Sequence, residues 1–184
     1  LAKTAHRAIL KAVKLDSVKC LASVDELSIG SNYARAYGPA LARLTHTSLQ
    51  HSDARVTFGV RIHDGVEASY LDDAINSIAS QTYKKFKVVL LVDGPWAFGD
   101  RLAKRYDLPL ICTGLKADIE HCSWLHRQAL EQCDTEYYKP LDYDDQLLPN
   151  YMERAIQTLD QKGVDVYGCL LNTLQDGEIT PRQH

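Results

Sequence analysis

Three carboxylates stand within four residues in Lys139-Pro140-Leu141-Asp142-Tyr143-Asp144-Asp145, directly after an apolar, β-prone run. Like charges this close repel one another unless a cation sits among them. Alternate residues of an extended chain point the same way, so Asp142 and Asp144 can converge on one point, with Asp145 adjacent. Hard oxygen ligands of this kind suit Mg2+, Mn2+ or Ca2+ rather than zinc. A site with few protein ligands completes its shell with water and phosphate oxygens, and its ion can neutralise charge on a departing diphosphate. The bland alternative is helix capping, since acids favour helix N-termini and Asp145 or Asn150 could cap the helix that follows. The position after a strand favours metal binding by Asp142, Asp144 and Asp145.

Other chemistry is weaker. His121, Cys122, His126 and Cys133 share a helical stretch but match no standard zinc spacing, and buried cysteine is common in cores. Five cysteines, an odd number without CxxC spacing, point to reduced thiols and a cytoplasmic setting. Neither GxxxxGK[ST] nor GxGxxG occurs, which argues against P-loop and dinucleotide enzymes. Among the aromatics, Tyr143 sits between the metal-site acids, while Trp96 either flanks a nucleotide or, more simply, packs its loop.

The elements that must position these acids alternate from residue 55 onward. VTFGVRI (56–62) is β-rich and ends at the turn signal His63-Asp64-Gly65. Residues 67–80 place Leu71, Ala74, Ile75 and Ile78 at helical spacing. KVVLLV (87–92) reads as a strand buried on both faces and stops at Asp93-Gly94-Pro95. Helices over 98–106, 119–133 and 150–160 alternate with strands over 109–112, 137–141 and 164–170, and Asp176-Gly177 marks a hairpin turn. The order implies a largely parallel sheet with helices on both faces. Ligands then bind beyond the carboxyl ends of the strands, where His63, Asp93 and Asp142 fall.

Residues 1–54 read instead as helices without a strand, over 4–13 and 32–49, forming a helical N-terminal extension or linker before a domain over 55–184. Residues 1–55 hold eight Lys/Arg against four Asp/Glu, a net of +4, and the remainder holds thirteen against twenty, a net of −7. A net charge of −3 gives no case for a nucleic-acid protein. No apolar run approaches the roughly 20 residues of a membrane span. Because the chain opens on Leu, it is expected to be part of something longer, with a peripheral membrane or multidomain context left open.

The stretch VTFGVRIHDGVEASYLDDAINSIASQTYKKFKVVLLVDG resembles the opening of family 2 glycosyltransferases, most specifically at Ser80-Gln81-Thr82-Tyr83-Lys84-Lys85-Phe86. WLHRQALEQCDTEYYKPLDYDD, LLPNYMERAIQTL and VDVYG are similar to that family's later segments, so the resemblance covers about residues 56–175. It implies a Rossmann-like GT-A domain, α/β in class, that binds a nucleotide sugar. Carried over by position, Asp142 and Asp144, with Asp145 beside them, hold the metal (Mn2+ or Mg2+) and the donor's ribose and diphosphate. Arg61, Ile62 and His63 lie at the nucleotide base, Asp93 is one of the acids closing the second strand, and Arg127 is a further donor contact. Departures are Arg61 and His63 for Pro and Tyr, Asp64 for Asn, Val92 for the acid that reads a uracil edge, and Pro95 for Ser. The family's catalytic base lies far downstream of D-x-D, which places it beyond His184 and the 55–184 domain short of its C-terminal part.

The expected activity is inverting, metal-assisted transfer from a nucleotide-diphosphate sugar, with UDP-sugar as leading donor, to a saccharide or other hydroxyl acceptor. The rivals are a nucleotidyltransferase or phosphohydrolase using the same carboxylates, and a non-catalytic donor-binding or assembly module of a larger polypeptide.

Overall fold

A computed structural model describes residues 8–11, 49–169, 172–175 and 178–181 of the chain. Strand β1 spans Ala8–Lys11 and β2 spans Val56–His63. There follow α1 (Ala68–Ala79), β3 (Phe86–Asp93), α2 (Trp96–Tyr106), β4 (Leu110–Cys112), α3 (His121–Glu131), β5 (Tyr137–Asp142), α4 (Tyr151–Lys162) and β6 (Val166–Gly168). β7 (Asn172–Gln175) and β8 (Glu178–Pro181) pair antiparallel as a separate hairpin on either side of the expected Asp176-Gly177 turn, which itself lies outside the described residues.

Six strands form one sheet in the order β4-β3-β2-β5-β1-β6. β4, β3, β2 and β5 are parallel neighbours, while β1 is antiparallel to both β5 and β6. The expected α/β class and largely parallel sheet are therefore present.

One expectation is corrected. Ala8–Lys11, inside the segment read as helical, is a strand inserted between β5 and β6. A four-residue stretch with adjacent Ile9 and Leu10 satisfies either periodicity, and open edges on both neighbouring strands decide it through long-range pairing. The helix expected over 32–49 falls, up to residue 48, outside the described residues.

Alternation along the strands sorts side chains to two faces. Val56, Phe58, Val60 and Ile62 of β2 join Phe86, Val88, Leu90 and Val92 of β3 in the main core. α1 adds Leu71, Ala74, Ile75 and Ile78 to this face, and α4 adds Met152, Ala155, Ile156 and Leu159. Each fully buried Val, Leu, Ile, Phe or Met among them contributes roughly 1.5–3 kcal/mol of transfer free energy. α3 covers the opposite face, setting Leu125 and Ala129 against Leu91 and Tyr138.

Two local features fit β5 closely against β2. The Tyr137 and Tyr143 amides donate to Arg55 and Arg61 carbonyls, so odd-numbered amides of β5 face β2. Pro140, lacking an N–H, therefore turns its nitrogen away from β2, and β1 pairs only as far as Tyr138. Opposite Pro140 stands Gly59, where a Cβ would overlap the hydroxyl of the buried Tyr138 side chain. At the amino ends of the strands, Arg55 donates to Asp160 (2.8 and 2.9 Å) and Glu136 (2.8 Å), tying β5 to the end of α4.

Candidate active site

The sheet order reverses direction between β2 and β5, because β3 lies on one side of β2 and β5 on the other. Strand ends flanking such a switch point open a crevice in which ligands bind. Arg61 and Asp142 are register partners there, and Arg61 Nε donates to Asp142 Oδ1 at 2.9 Å. Both side chains are largely buried. Burial works against the Arg61 charge, but the hydrogen bond and attraction of Asp142, helped by Asp144, more than restore it, and the guanidinium is held above its ordinary value.

Beyond Asp142 the chain turns. The Tyr143 amide extends the ladder to the Arg61 carbonyl (2.8 Å), and the Asp145 amide donates back to the Asp142 carbonyl (3.1 Å). Asp144 is exposed at this turn. The Tyr143 ring packs edge-on to His63 (centroids 5.4 Å) and to Tyr70 (6.4 Å), and burial, then the Asp144 charge, raises its phenol above the ordinary value. The carboxylates do not cap the next helix. α4 begins at Tyr151, its N-cap is Asn150, and that side chain makes no capping bond.

Arg61, His63, Asp142 and Tyr143 thus come together, with Asp144 in electrostatic reach of Arg61. Asp93, the register partner of His63, is 2% exposed and bonded to Thr113, Asp118 and His121. Arg127 lies on the exposed side of α3. Leu125 and Ala129, each two residues away, face the sheet, and two residues turn a helix by about 200°. Its neighbour His126 instead meets the Tyr138 hydroxyl at 2.7 Å. Trp96, at the mouth, is 57% exposed while its ring lies over Gly114, where a Cβ would overlap it.

The sequence model of Glycosyl transferase family 2 matches residues 66–183, more than half of the chain. The chain belongs to this family. An uncharacterized glycosyltransferase of Rickettsia typhi is 30% identical over 115 residues, covering 61% of this chain and 35% of that protein. A second, of Rickettsia conorii, is 27% identical over 118 residues, covering 61% of this chain and 19% of that protein. The chain spans about a third and about a fifth of these relatives' lengths. Among solved structures, S. aureus TarS aligns with a TM-score of 0.49 at 20% identity, covering 59% of this chain and 20% of that one. A TarS structure in complex with UDP aligns at 0.48 and 22%, covering 58% and 32%.

Within this family 2 chain the run Ser80-Gln81-Thr82-Tyr83 has a structural task. Gln81 is fully buried. Its Nε2 donates to the Ser77 carbonyl (3.0 Å) and the Leu148 carbonyl (2.8 Å), and its Oε1 accepts the Met152 amide (3.0 Å). Gln81 therefore satisfies a first-turn amide of α4 that Asn150 does not cap. The Ser77 hydroxyl accepts the Leu147 amide (3.1 Å), and the Thr82 amide donates to the Pro149 carbonyl (2.7 Å). The end of α1 thereby fixes the backbone that follows the carboxylates.

Among the described residues no group of three or more His, Cys, Asp or Glu side chains is arranged to hold a metal. Asp142 is bonded to Arg61 and Asp144 acts on the same guanidinium, and carboxylate oxygens are the donor type that a hard divalent cation takes. In the sequence His121 stands out only as a weak zinc candidate, and nothing singles out Thr113 or Asp118. Their common partner is Asp93, 20 to 28 residues away in the chain, so no local pattern announces them.

Proposed function

We propose that this chain is the donor-binding core of an inverting glycosyltransferase that moves a sugar from a nucleoside-diphosphate donor, a UDP-sugar first among them, to a hydroxyl acceptor. Membership of family 2 supports the transferase class. The observation that carries the reading is the Arg61–Asp142 pair at the β2/β5 switch point, followed by exposed Asp144. A cation and two carboxylates at the mouth of a crevice suit a ligand that brings both diphosphate oxygens and a counter-ion.

In this reading Arg61 lies beside the diphosphate and His63 borders the nucleoside. Asp142 and Asp144, with Asp145 behind them, would hold Mn2+ or Mg2+, whose chemistry is to neutralise the charge of the leaving diphosphate. The acceptor oxygen, deprotonated by a base, attacks the anomeric carbon in line as the bond to the diphosphate oxygen breaks, which inverts the centre. Arg61 is pre-aligned by Asp142, so its charge is in place as the leaving group forms. No described residue is assigned as the base.

The test is release of the nucleoside diphosphate from UDP-, GDP- and CDP-sugars in Mn2+, with and without saccharide acceptors, for the wild type and Asp142→Asn. Slow, Mn2+-dependent release from one donor, lost in the variant, supports the reading. Turnover only with a sugar 1-phosphate and a nucleoside triphosphate would point to nucleotidyl transfer instead. Donor binding without any release would favour a non-catalytic module.

A further inference from the structure

Asp93 closes β3 as a buried carboxylate whose two oxygens both face protein. Oδ1 accepts the Thr113 hydroxyl (3.2 Å) and lies 2.7 Å from His121 Nδ1, while Oδ2 accepts the Asp118 amide (2.9 Å). A carboxylate can only accept here, so the proton belongs on Nδ1 of His121. Thr113 in turn receives the Gly94 and Leu115 amides. One side chain thus gathers the whole segment between β4 and α3.

Besides this carboxylate, the Thr113 amide bond to the Val92 carbonyl (3.0 Å) and the Trp96 ring against Gly114 hold the start of the segment, and beyond them apolar contact is sparse. Leu115 and Ile119, its large apolar side chains, are exposed, as is Trp124 in the first turn of α3. They bury little area, so apolar packing contributes little to the segment's position. Yet the segment borders the crevice: Asp93, which anchors it, is the register partner of His63, and Gly94, bonded to Thr113, lies against Asp64 in the turn after β2. Gly114, at φ +69, sits under the Trp96 ring, so both tryptophans of the chain flank the segment.

We propose that Asp93 is a positioning residue rather than a donor contact: through His121, Thr113 and Asp118 it latches the 113–121 segment as one wall of the nucleotide crevice. The inference rests on the proposed function for the identity of the ligand, and on the geometry alone for the latch. Donor contact is left to Arg61, His63 and the Asp142 turn, and Asp93 acts on affinity by holding the wall in register with them.

The experiment compares wild type with His121→Ala, His121→Asn and Thr113→Val, reading tryptophan emission and UDP affinity in Mn2+. The asparagine amide nitrogen stands close to the place of Nδ1, so it restores the bond to Asp93 without an imidazole. His121→Ala is expected to change the emission and weaken UDP about tenfold, the scale of one lost charge-assisted hydrogen bond. Thr113→Val is expected to do the same more mildly, and His121→Asn to return both readouts to near wild type. Wild-type emission and affinity in His121→Ala would overturn the latch. So would His121→Asn binding as poorly as His121→Ala with wild-type emission, because the imidazole would then touch the nucleotide itself. If the wild type binds no UDP, GDP or CDP, the functional reading fails, and the wall loses its assigned ligand. The emission spectra still judge the latch: changed in His121→Ala and restored in His121→Asn if it exists, alike in all three if it does not.

Discussion

Arg61 and Asp142, 81 residues apart in sequence, face each other across the parallel β2–β5 pair and join through a 2.9 Å hydrogen bond at the carboxyl ends of both strands. Removing either partner strands a charge in a largely buried place, whereas removing both does not. Arg61→Met should therefore cost about 1–3 kcal/mol of stability, and the double variant with Asp142→Asn less than the sum. Urea denaturation of the four proteins measures the coupling. Strict additivity would mean that the pair does not interact in solution.

Gln81 joins the end of α1 to the start of α4, just after the carboxylates. Gln81→Leu keeps the volume but leaves the Leu148 carbonyl and Met152 amide without their partner. An abandoned buried polar group costs about 1–3 kcal/mol, so a loss of that order or more is expected in thermal denaturation. Because the same backbone leads out of Asp142–Asp145, the variant should also bind nucleotide more weakly after correction for its unfolded fraction. Normal stability would show that the glutamine is not the anchor.

Gly59 leaves room for Tyr138, whose hydroxyl reaches across β2 to His126. Gly59→Ala forces that ring to move, and overpacking of this kind typically costs about 1–3 kcal/mol. Loss of the His126 contact should appear as a change in the His126 ring resonances. An alanine variant as stable as wild type would show that Tyr138 has a second place to go.

Acid should weaken the fold from the opposite end of the sheet. Arg55, by its hydrogen bonds, holds the Asp160 carboxyl below its ordinary value, and Lys87 does the same for Asp134. The unfolded chain then binds protons more readily than the folded one. The stabilisation is complete above about pH 4, the unfolded carboxyl value, and is lost as the pH falls through the lower folded values. For solvent-exposed pairs the effect is roughly 0.2–1 kcal/mol each. Urea midpoints measured from about pH 5 down to about pH 3 should fall less steeply in Arg55→Leu than in wild type. Superimposable slopes would remove Arg55 from the acid response.

What could be read from the sequence was local. KVVLLV between turn signals is a buried strand on its own evidence, and Leu71, Ala74, Ile75 and Ile78 mark the inner face of α1. Asp142 was placed at a strand end by the apolar run before it. Pairings over long separations were not legible. Ala8–Lys11 becomes a strand only because β5 and β6 leave a slot for it. Motif position marks Asp93 as a donor contact, and nothing near it in sequence shows Asp118 and His121 folding back onto its oxygens. Motif position names Arg127 as a donor contact, and the helical spacing of buried Leu125 and Ala129 sets it on the exposed side of α3. Arg61 was named for its place after β2, and its partner became visible only with the β2–β5 register.

The central claim is that Asp142 and Asp144 serve a metal-dependent nucleoside-diphosphate site. Calorimetric titration of UDP, GDP and CDP, each with and without Mn2+, into wild type and Asp144→Ala tests it most directly. Asp144 is exposed at the turn, so its loss should leave the fold intact. One nucleoside diphosphate is expected to bind only with Mn2+, and Asp144→Ala to abolish this binding. Equal binding without the ion and in the variant, or no binding by any of the three, would contradict it.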